Sequence, residues 1–378
     1  MLVLTINSGS TSVKLAAFES SGAPAALRGL RREQVSGRGL EPRAVLRAFL
    51  DTLAGSRVTA VAHRVVHGGR HFTAPVIIDA AVQAAIGELS ELAPLHNPVA
   101  LEWIVAARAV FAPEVRQVAC FDTAFFADLP RVAAEYALPR AAGVDLGIRR
   151  YGFHGLAHAA LWRRWCELNP HLAHGGRIIS LQLGGGCSAA AVREGRPRDT
   201  SMGFSPLEGL VMATRSGDLD PAIVAYLAAR RQVAPDKVIE WLNHECGLLG
   251  VSGQSSDLRE LLAAPRTEAA EFAVELYCYR VTKYIGAYLA VLGGCDGILL
   301  SGGVGEHMPQ IRERILGTLG WAGVELDRPA NEAARGTEAC ISRAGSPVRV
   351  QVIPGDEERL LASAALACAR PQPPAAEA

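Results

Sequence analysis

Four charged or titratable residues stand where this chain is too polar for a core. Arg64 lies in Ala60-Val-Ala-His63-Arg64-Val65-Val66-His67-Gly68-Gly69, at the polar end of an apolar run, where binding residues tend to collect. Asp122 follows the apolar run Val115 to Phe121; an aspartate at a strand end suits a metal ligand or a base, and equally a helix N-cap. His154 falls in Arg149-Arg150-Tyr151-Gly152-Phe153-His154-Gly155, which is too polar for core and too aromatic for a linker and so reads as a cleft wall. Arg215 sits among small polar residues, Thr214 to Pro221, ahead of a helical stretch. A helix start with a nearby arginine suits an anion, although a capping box or a surface pair accounts for Asp218 and Asp220 as well.

Three turns could serve the same anion. Leu2 to Asn7 runs into Ser8-Gly9-Ser10-Thr11-Ser12 and returns as Val13 to Phe18, and Ile178 to Leu183 runs into Gly184-Gly185-Gly186 and returns as Ser188 to Val192. Successive backbone N–H groups in such a turn form a concavity that fits phosphate oxygens, and small side chains leave it open. Two ordinary tight hairpins would have the same composition. Gly297 to Ser301 then enters Gly302-Gly303-Val304-Gly305-Glu306, with a helix expected from about Met308. Strand, glycine turn and helix suit a nucleotide, although the spacing is neither a P-loop nor a dinucleotide fingerprint.

The elements that must carry these groups alternate between strands and helices. Helices are expected near Pro42 to Thr52, Asp79 to Leu89, Leu101 to Val110, Pro221 to Arg230, Ala234 to His244, Glu268 to Leu292 and Asp356 to Ala369, and strands near Val58 to His63 and Val348 to Ile353. Ser20 to Gly39 has no clear pattern. At 378 residues, 49% apolar and 20% charged, the chain is globular and long enough for two or three domains. Its 38 basic residues balance 38 acidic ones, so no nucleic-acid or membrane partner is expected and any anion must be caught locally. The amino terminus lacks a basic n-region and breaks at Asn7, and no apolar run is long enough to span a bilayer; a soluble, cytoplasmic protein is expected. The eight cysteines are scattered without a C-x-x-C pair, which argues against zinc and against a disulfide scaffold. Cys187 adjoins the second glycine turn.

Taken in order, Asn7-Ser-Gly-Ser-Thr-Ser-Val-Lys14, His63 to Gly69, Pro94 to Pro98, Phe121-Asp122-Thr123-Ala124-Phe125, Arg150 to Gly155, Asp199 to Pro221 and Gly302 to Glu306 resemble the acetate kinase family, in the acetate, propionate and butyrate kinase branch of the actin-like ATPases. The resemblance covers nearly the whole chain. It implies an α/β fold of duplicated ribonuclease-H-like (actin-like ATPase) domains flanking a central cleft. The amino-terminal domain would be 1–149 completed by the final helix 357–370, the carboxyl-terminal domain 150–356, and the tail 371–378. It further implies transfer of the terminal phosphoryl group of ATP to a short carboxylate, acetate first and propionate second, with Mg2+ or Mn2+.

Residue by residue, the resemblance places Arg64 and Arg215 on the carboxylate and the transferring phosphoryl, and His154 on the equatorial oxygens of the transition state. Asn7, Asp122 and Glu357 would serve the metal, and Ser10, Ser12 and Lys14 the phosphates together with Gln182, Gly184, Gly185 and Gly186. Asp257, Leu258, Arg259, Gly302, Gly303, Val304 and Glu306 would hold the nucleotide. Val66, Leu95, Phe153 and Pro206 would surround the acyl methyl group. A homodimer through the carboxyl-terminal domain is implied, and Tyr277, Tyr279, Tyr284 and Tyr288 are rings that suit an interface or a core.

The chain also departs from the family pattern. Gln182-Leu-Gly184-Gly185-Gly186 replaces His-Leu-Gly-Asn-Gly and resembles the butyrate kinase branch, while His307 and Asp356 replace asparagines. A butyrate or other short-chain carboxylate kinase, or a weakly active ATP-binding regulatory protein, are the alternative functions; an actin-like structural subunit fits the active-site arginines less well.

Overall fold

A computed structural model describes residues 1–9, 12–21, 27–37, 39–53, 55, 57–263 and 265–369. Ser10 and 371–378, both named above, lie outside the described residues. Internal contacts divide the chain into two units, one of Met1–Ala127, Phe153–Leu156 and the described part of Asp356–Ala378, the other of Asp128–Gly152 and Ala157–Gly355.

The first unit holds β1 (Leu2–Ser8), β2 (Ser12–Ser20), β3 (Leu27–Ser36), β4 (Val58–Val65), β5 (Val76–Ile77) and β6 (Arg116–Phe121), in the order β3-β2-β1-β4-β6-β5. β1, β4 and β6 run parallel, while β2 and β3 fold back antiparallel. β1 is buried along its whole length, as a strand covered on both faces must be, so its apolar residues Leu2, Val3, Leu4 and Ile6 fall on both faces. The final helix, Glu357–Ala369, packs on β1, β4 and β6.

The second unit repeats this arrangement. β7 (Arg177–Leu183), β8 (Cys187–Arg193), β9 (Arg196–Thr200), β10 (Gly297–Ser301), β11 (Ala339–Cys340) and β12 (Arg349–Val352) lie in the order β11-β12-β10-β7-β8-β9. Reversed, that is the order of the first sheet with the same directions at each place, β7 standing for β1, β10 for β4 and β12 for β6. The fold is the expected duplicated α/β arrangement. Glu268–Leu292 is a 25-residue helix, started by Thr267, whose side chain accepts from the Ala270 N–H, and stopped by Gly293 in the left-handed region.

Several elements differ from the sequence reading. Leu27–Ser36, without a clear pattern in sequence, is a strand because it is an edge: it pairs only with β2, most of its side chains are exposed, and its charges blunt further pairing. Gly155–Leu168 is a helix that the reading lacked, with Ala157, Leu161 and Trp165 buried at four-residue spacing. The helix expected from Met308 begins six residues earlier, as Gly302–His307, and a second follows at Pro309–Leu316. No helix among the described residues is long and apolar enough to cross a membrane.

His63, on β4, has Nε2 at 2.7 Å from Gln117 Oε1, and burial lowers its pKa to about 4. Burial lowers His67 to about 4 as well. Both take up a proton more readily unfolded than folded, so stability is fully present above the unfolded pKa of 6.5 and is lost as pH falls toward 4. Melts from pH 6.5 to 5 are expected to lose up to about 1.4 kcal/mol per pH unit for each histidine. Stability that is flat or rising over that window would contradict neutral burial.

Candidate active site

Asn7, Arg64 and Asp122 are brought together by strand register. Ile6 pairs with His63 and Val65 with Phe121, so the three residues lie at the carboxyl ends of adjacent parallel strands, the place where open α/β sheets bind ligands. Arg64 grips Asp122, with Nη2 at 2.6 Å from Oδ2 and Nε at 3.2 Å from both oxygens. The pair is nearly out of water, with side chains 16% and 1% exposed. Burial opposes the charge on Arg64, but Asp122, Glu357 and Glu358 outweigh it and raise the pKa above the ordinary arginine range. Asp122 is not a helix cap: it opens a short 3-10 turn, Asp122–Phe126, whose N-cap is Phe121.

The final helix brings two carboxylates to the same end of the sheet. Asn7 Nδ2 donates to Glu357 Oε2 at 3.2 Å and to Glu358 Oε1 at 3.0 Å, while its Oδ1 accepts from Arg64 Nη1 at 3.4 Å. Glu358, absent from the sequence reading, is 7% exposed. Asp356, in place of asparagine, accepts from the Arg359 N–H at 3.2 Å and so caps that helix, and it also pairs with Arg32 at 2.6 Å. Lys14 stands directly opposite Asn7 in the first hairpin, and the Gly9 N–H donates to the Ser12 carbonyl at 2.8 Å.

Among the described residues no group of three or more His, Cys, Asp or Glu side chains is placed to hold a metal ion. Asp122 and Glu357, taken as one or two ligands, offer only oxygen donors, however. That fits Mg2+, which takes one or two carboxylates and draws its other ligands from water and substrate phosphates.

His154 precedes the Gly155–Leu168 helix with φ 57°, a left-handed backbone that is uncommon for histidine and recurs at functional sites. Phe153 is 1% exposed and meets His67 edge to face, with ring centres 5.6 Å apart. Val66 is buried beside them in sequence, whereas Leu95 is 50% exposed.

In the second unit the two glycine turns follow neighbouring parallel strands, β7 and β10. Gly302 has φ 78°, and a Cβ there would overlap the Leu183 carbonyl oxygen, so glycine is required for the turns to meet. Gly184, Gly185, Asp257, Leu258, Arg259, Gly303 and Val304 line one cavity of about 680 Å³. Ser256, Gln310 and Arg335 line it too, without any sequence signal that singled them out. Asp257 is both wall and N-cap, accepting from the Arg259 N–H at 2.8 Å and pairing with its guanidinium at 2.5 Å.

Gly186, Gly302, Glu306 and Gln182 are not in that lining. Glu306 Oε1 accepts from Ser301 Oγ at 3.0 Å, the Gly302 N–H at 2.9 Å and the Gly355 N–H at 3.1 Å, so its carboxylate braces the turn. Gln182 Oε1 is a buried acceptor without a donor among the described residues. Cys187 is buried, its thiol donating to the Gly184 carbonyl at 3.2 Å, and burial raises its pKa.

Arg215 is half-buried. Its Nη1 donates to the Pro206 carbonyl at 3.2 Å, and among the described residues no carboxylate pairs with it. Burial accordingly lowers its pKa.

Comparison with known proteins agrees with these features. The model of the Acetokinase family matches residues 42–363. The acetate kinase of Solibacter usitatus is 46% identical over 321 residues, covering 84% of this chain and 78% of its own. That of Thermotoga maritima is 41% identical, covering 96% of this chain and 97% of its own. The crystal structure of Porphyromonas gingivalis acetate kinase superposes with a TM-score of 0.86 at 37% identity, over 98% of this chain and 100% of that one. A propionate kinase from Francisella tularensis gives 0.87 at 33%, over 96% and 98%. From its duplicated sheets, its strand-end charges and these matches, the chain belongs to the acetokinase family, the acetate kinases.

Proposed function

We propose that the protein transfers the γ-phosphoryl group of ATP to acetate, reversibly and in line, giving acetyl phosphate and ADP, with propionate as a second substrate. The observation that carries this reading is the half-buried Arg215 guanidinium with no carboxylate partner among the described residues, hung from the carbonyl of Pro206. A cation in that state favours an incoming anion, and its planar donors bind two oxygens at once. Arg64, already charged and fixed by Asp122, supplies the second grip.

Two anions must meet for this reaction, and transfer through a loose transition state asks for charge neutralisation and alignment more than for a protein nucleophile. Arg64 and Arg215 hold the carboxylate and the transferring phosphoryl, and His154 donates to the equatorial oxygens. The 680 Å³ cavity takes the adenosine of ATP or ADP, with the backbone of the glycine turns toward its phosphates. Mg2+, or Mn2+, bound with the nucleotide, would neutralise phosphate charge. Asp122 and Glu357 would hold it directly or through water, with Asn7 orienting the glutamates. Val66, Phe153 and Pro206 exclude water from the acyl group. Rates with acetate, propionate and butyrate at saturating MgATP are expected to rank acetate first, and a ranking led by butyrate would favour the related kinase.

We also infer a homodimer through the second unit. On the Glu268–Leu292 helix Phe272 is 55% and Tyr279 63% exposed, and Tyr226 on the helix Ala222–Arg231 is 66% exposed. Tyr277 and Tyr288 are buried, so Tyr279 is the ring of the four best placed for an interface. Seven residues apart on one helix, Phe272 and Tyr279 lie on one face, and a second copy is the expected cover for it. Sedimentation equilibrium should give twice the chain mass, and Tyr279→Glu should shift it toward one; a single-chain mass for the unmodified protein would reject the dimer.

A further inference from the structure

The chain from Ser201 to Pro221 contains no regular helix or strand, yet it carries both Pro206 and Arg215. Something other than backbone ladders must fix it. Arg150 Nη1 donates to the carbonyls of Thr200 and Ser201, at 3.2 Å each, and Nη2 to Glu208 Oε1 at 2.6 Å. The other oxygen of Glu208 accepts from the Tyr136 hydroxyl, and the same hydroxyl oxygen accepts from the Phe204 N–H at 2.8 Å. The Arg150 guanidinium also lies over the Tyr136 ring, 5.6 Å from its centre.

Pro206 is therefore flanked on both sides by pinned positions, Phe204 and Glu208. Its carbonyl in turn holds Arg215. Farther along, Asp218 Oδ1 accepts from the Gly209 N–H at 2.9 Å and Oδ2 from the Tyr284 hydroxyl at 2.8 Å, which fixes the distal end. Burial and the Glu208 charge keep the Tyr136 hydroxyl protonated, hence a donor, throughout the working pH range. A side chain that bonds a loop this way holds a binding geometry, and a displacement of about 1 Å at such a contact costs on the order of 10²-fold in rate.

We propose that Tyr136, Glu208 and Arg150 are positioning residues that set how closely Pro206 approaches the acyl group and where Arg215 points, and so decide which carboxylate chain length is preferred. The proposal rests on the kinase reading above. None of the three touches substrate; they act through the loop. Tyr136→Phe removes one hydroxyl without altering charge and leaves Glu208 Oε2 and the Phe204 N–H without their partner. Glu208→Gln keeps the shape but weakens the grip of Arg150.

The test is steady-state kinetics of the full chain with acetate, propionate and butyrate in both variants, beside KM for ATP and thermal melts. A loosened loop should raise KM for acetate by about fivefold or more and lower the acetate-to-butyrate ratio of kcat/KM by about threefold or more, with KM for ATP nearly unchanged. Should Tyr136→Phe fail to fold, Glu208→Gln gives the same readout. Variants that lose kcat equally for all three acids, or keep the wild-type ratio, would overturn the proposal and leave these residues a purely structural part. An unmodified protein that phosphorylates none of the acids would instead overturn the kinase reading, and this inference with it.

Discussion

Arg215→Ala is expected to lower kcat by about 10²-fold or more, equivalent to roughly 2.7 kcal/mol of transition-state stabilisation, while leaving ATP affinity and thermal stability close to those of the unmodified protein. The separation follows from its surroundings: no carboxylate among the described residues is left uncompensated when the guanidinium goes. Arg64→Ala should behave differently. Asp122 is 1% exposed and held by Arg64 through three contacts, so removing the arginine strands a buried carboxylate and costs about 3–5 kcal/mol of stability in addition to the rate. Lysine at either position should rescue little, because a point charge cannot reproduce a two-pronged contact. Turnover, calorimetric ATP affinity and melting temperature for the four variants check this. Equal stability losses at both positions would show that Arg215 has a partner the account lacks.

Gly155→Ala is expected to be nearly as damaging, for a steric reason. A Cβ at 155 would overlap the carbonyl oxygen of Asp122 and lie 2.8 Å from the Cβ of Phe125, and neither the backbone nor a Cβ can swing aside. Relief requires moving the Asp122 turn or the helix start that presents His154. Overpacking of this kind costs about 1–3 kcal/mol, and an Å-scale shift of a reacting group on the order of 10²-fold in rate. Gly185→Ala is the control, since nothing lies within 4 Å of a Cβ there. It should fold with unchanged stability, and a comparable stability loss at both positions would refute the steric argument.

The parts of this molecule that were legible in sequence are those where one local rule acts alone. Both glycine hairpins and the strand before Asp122 follow from apolar runs broken by small or polar residues, and the helix Glu268–Leu292 from a long stretch of helix formers that stops at Gly293. The edge strand Leu27–Ser36 was not legible, because its exposed charges erase alternation and its pairing with β2 is a tertiary fact. Glu358 was missed for a related reason: next to Glu357 on a helix start it reads as surface charge, and only packing of the final helix against the first sheet buries it beside Asn7. Tyr136 and Glu208 are 72 residues apart in the chain, so no spacing rule joins them. Glu306 was read as a nucleotide contact from its motif, and the structure shows in addition that its Oε1 braces the turn. Residue type identified the chemistry at these places, while long-range packing assigned the role.

The phosphoryl group passes from ATP to a short carboxylate. The most direct measurement is phosphorus NMR of the unmodified protein with MgATP and acetate, run with and without hydroxylamine to trap acyl phosphate. Without the trap acetyl phosphate and ADP should form in equal amounts, and with it ADP, acetohydroxamate and inorganic phosphate should accumulate together, whereas inorganic phosphate without acetohydroxamate, or unchanged ATP in the trapped reaction, would contradict the account.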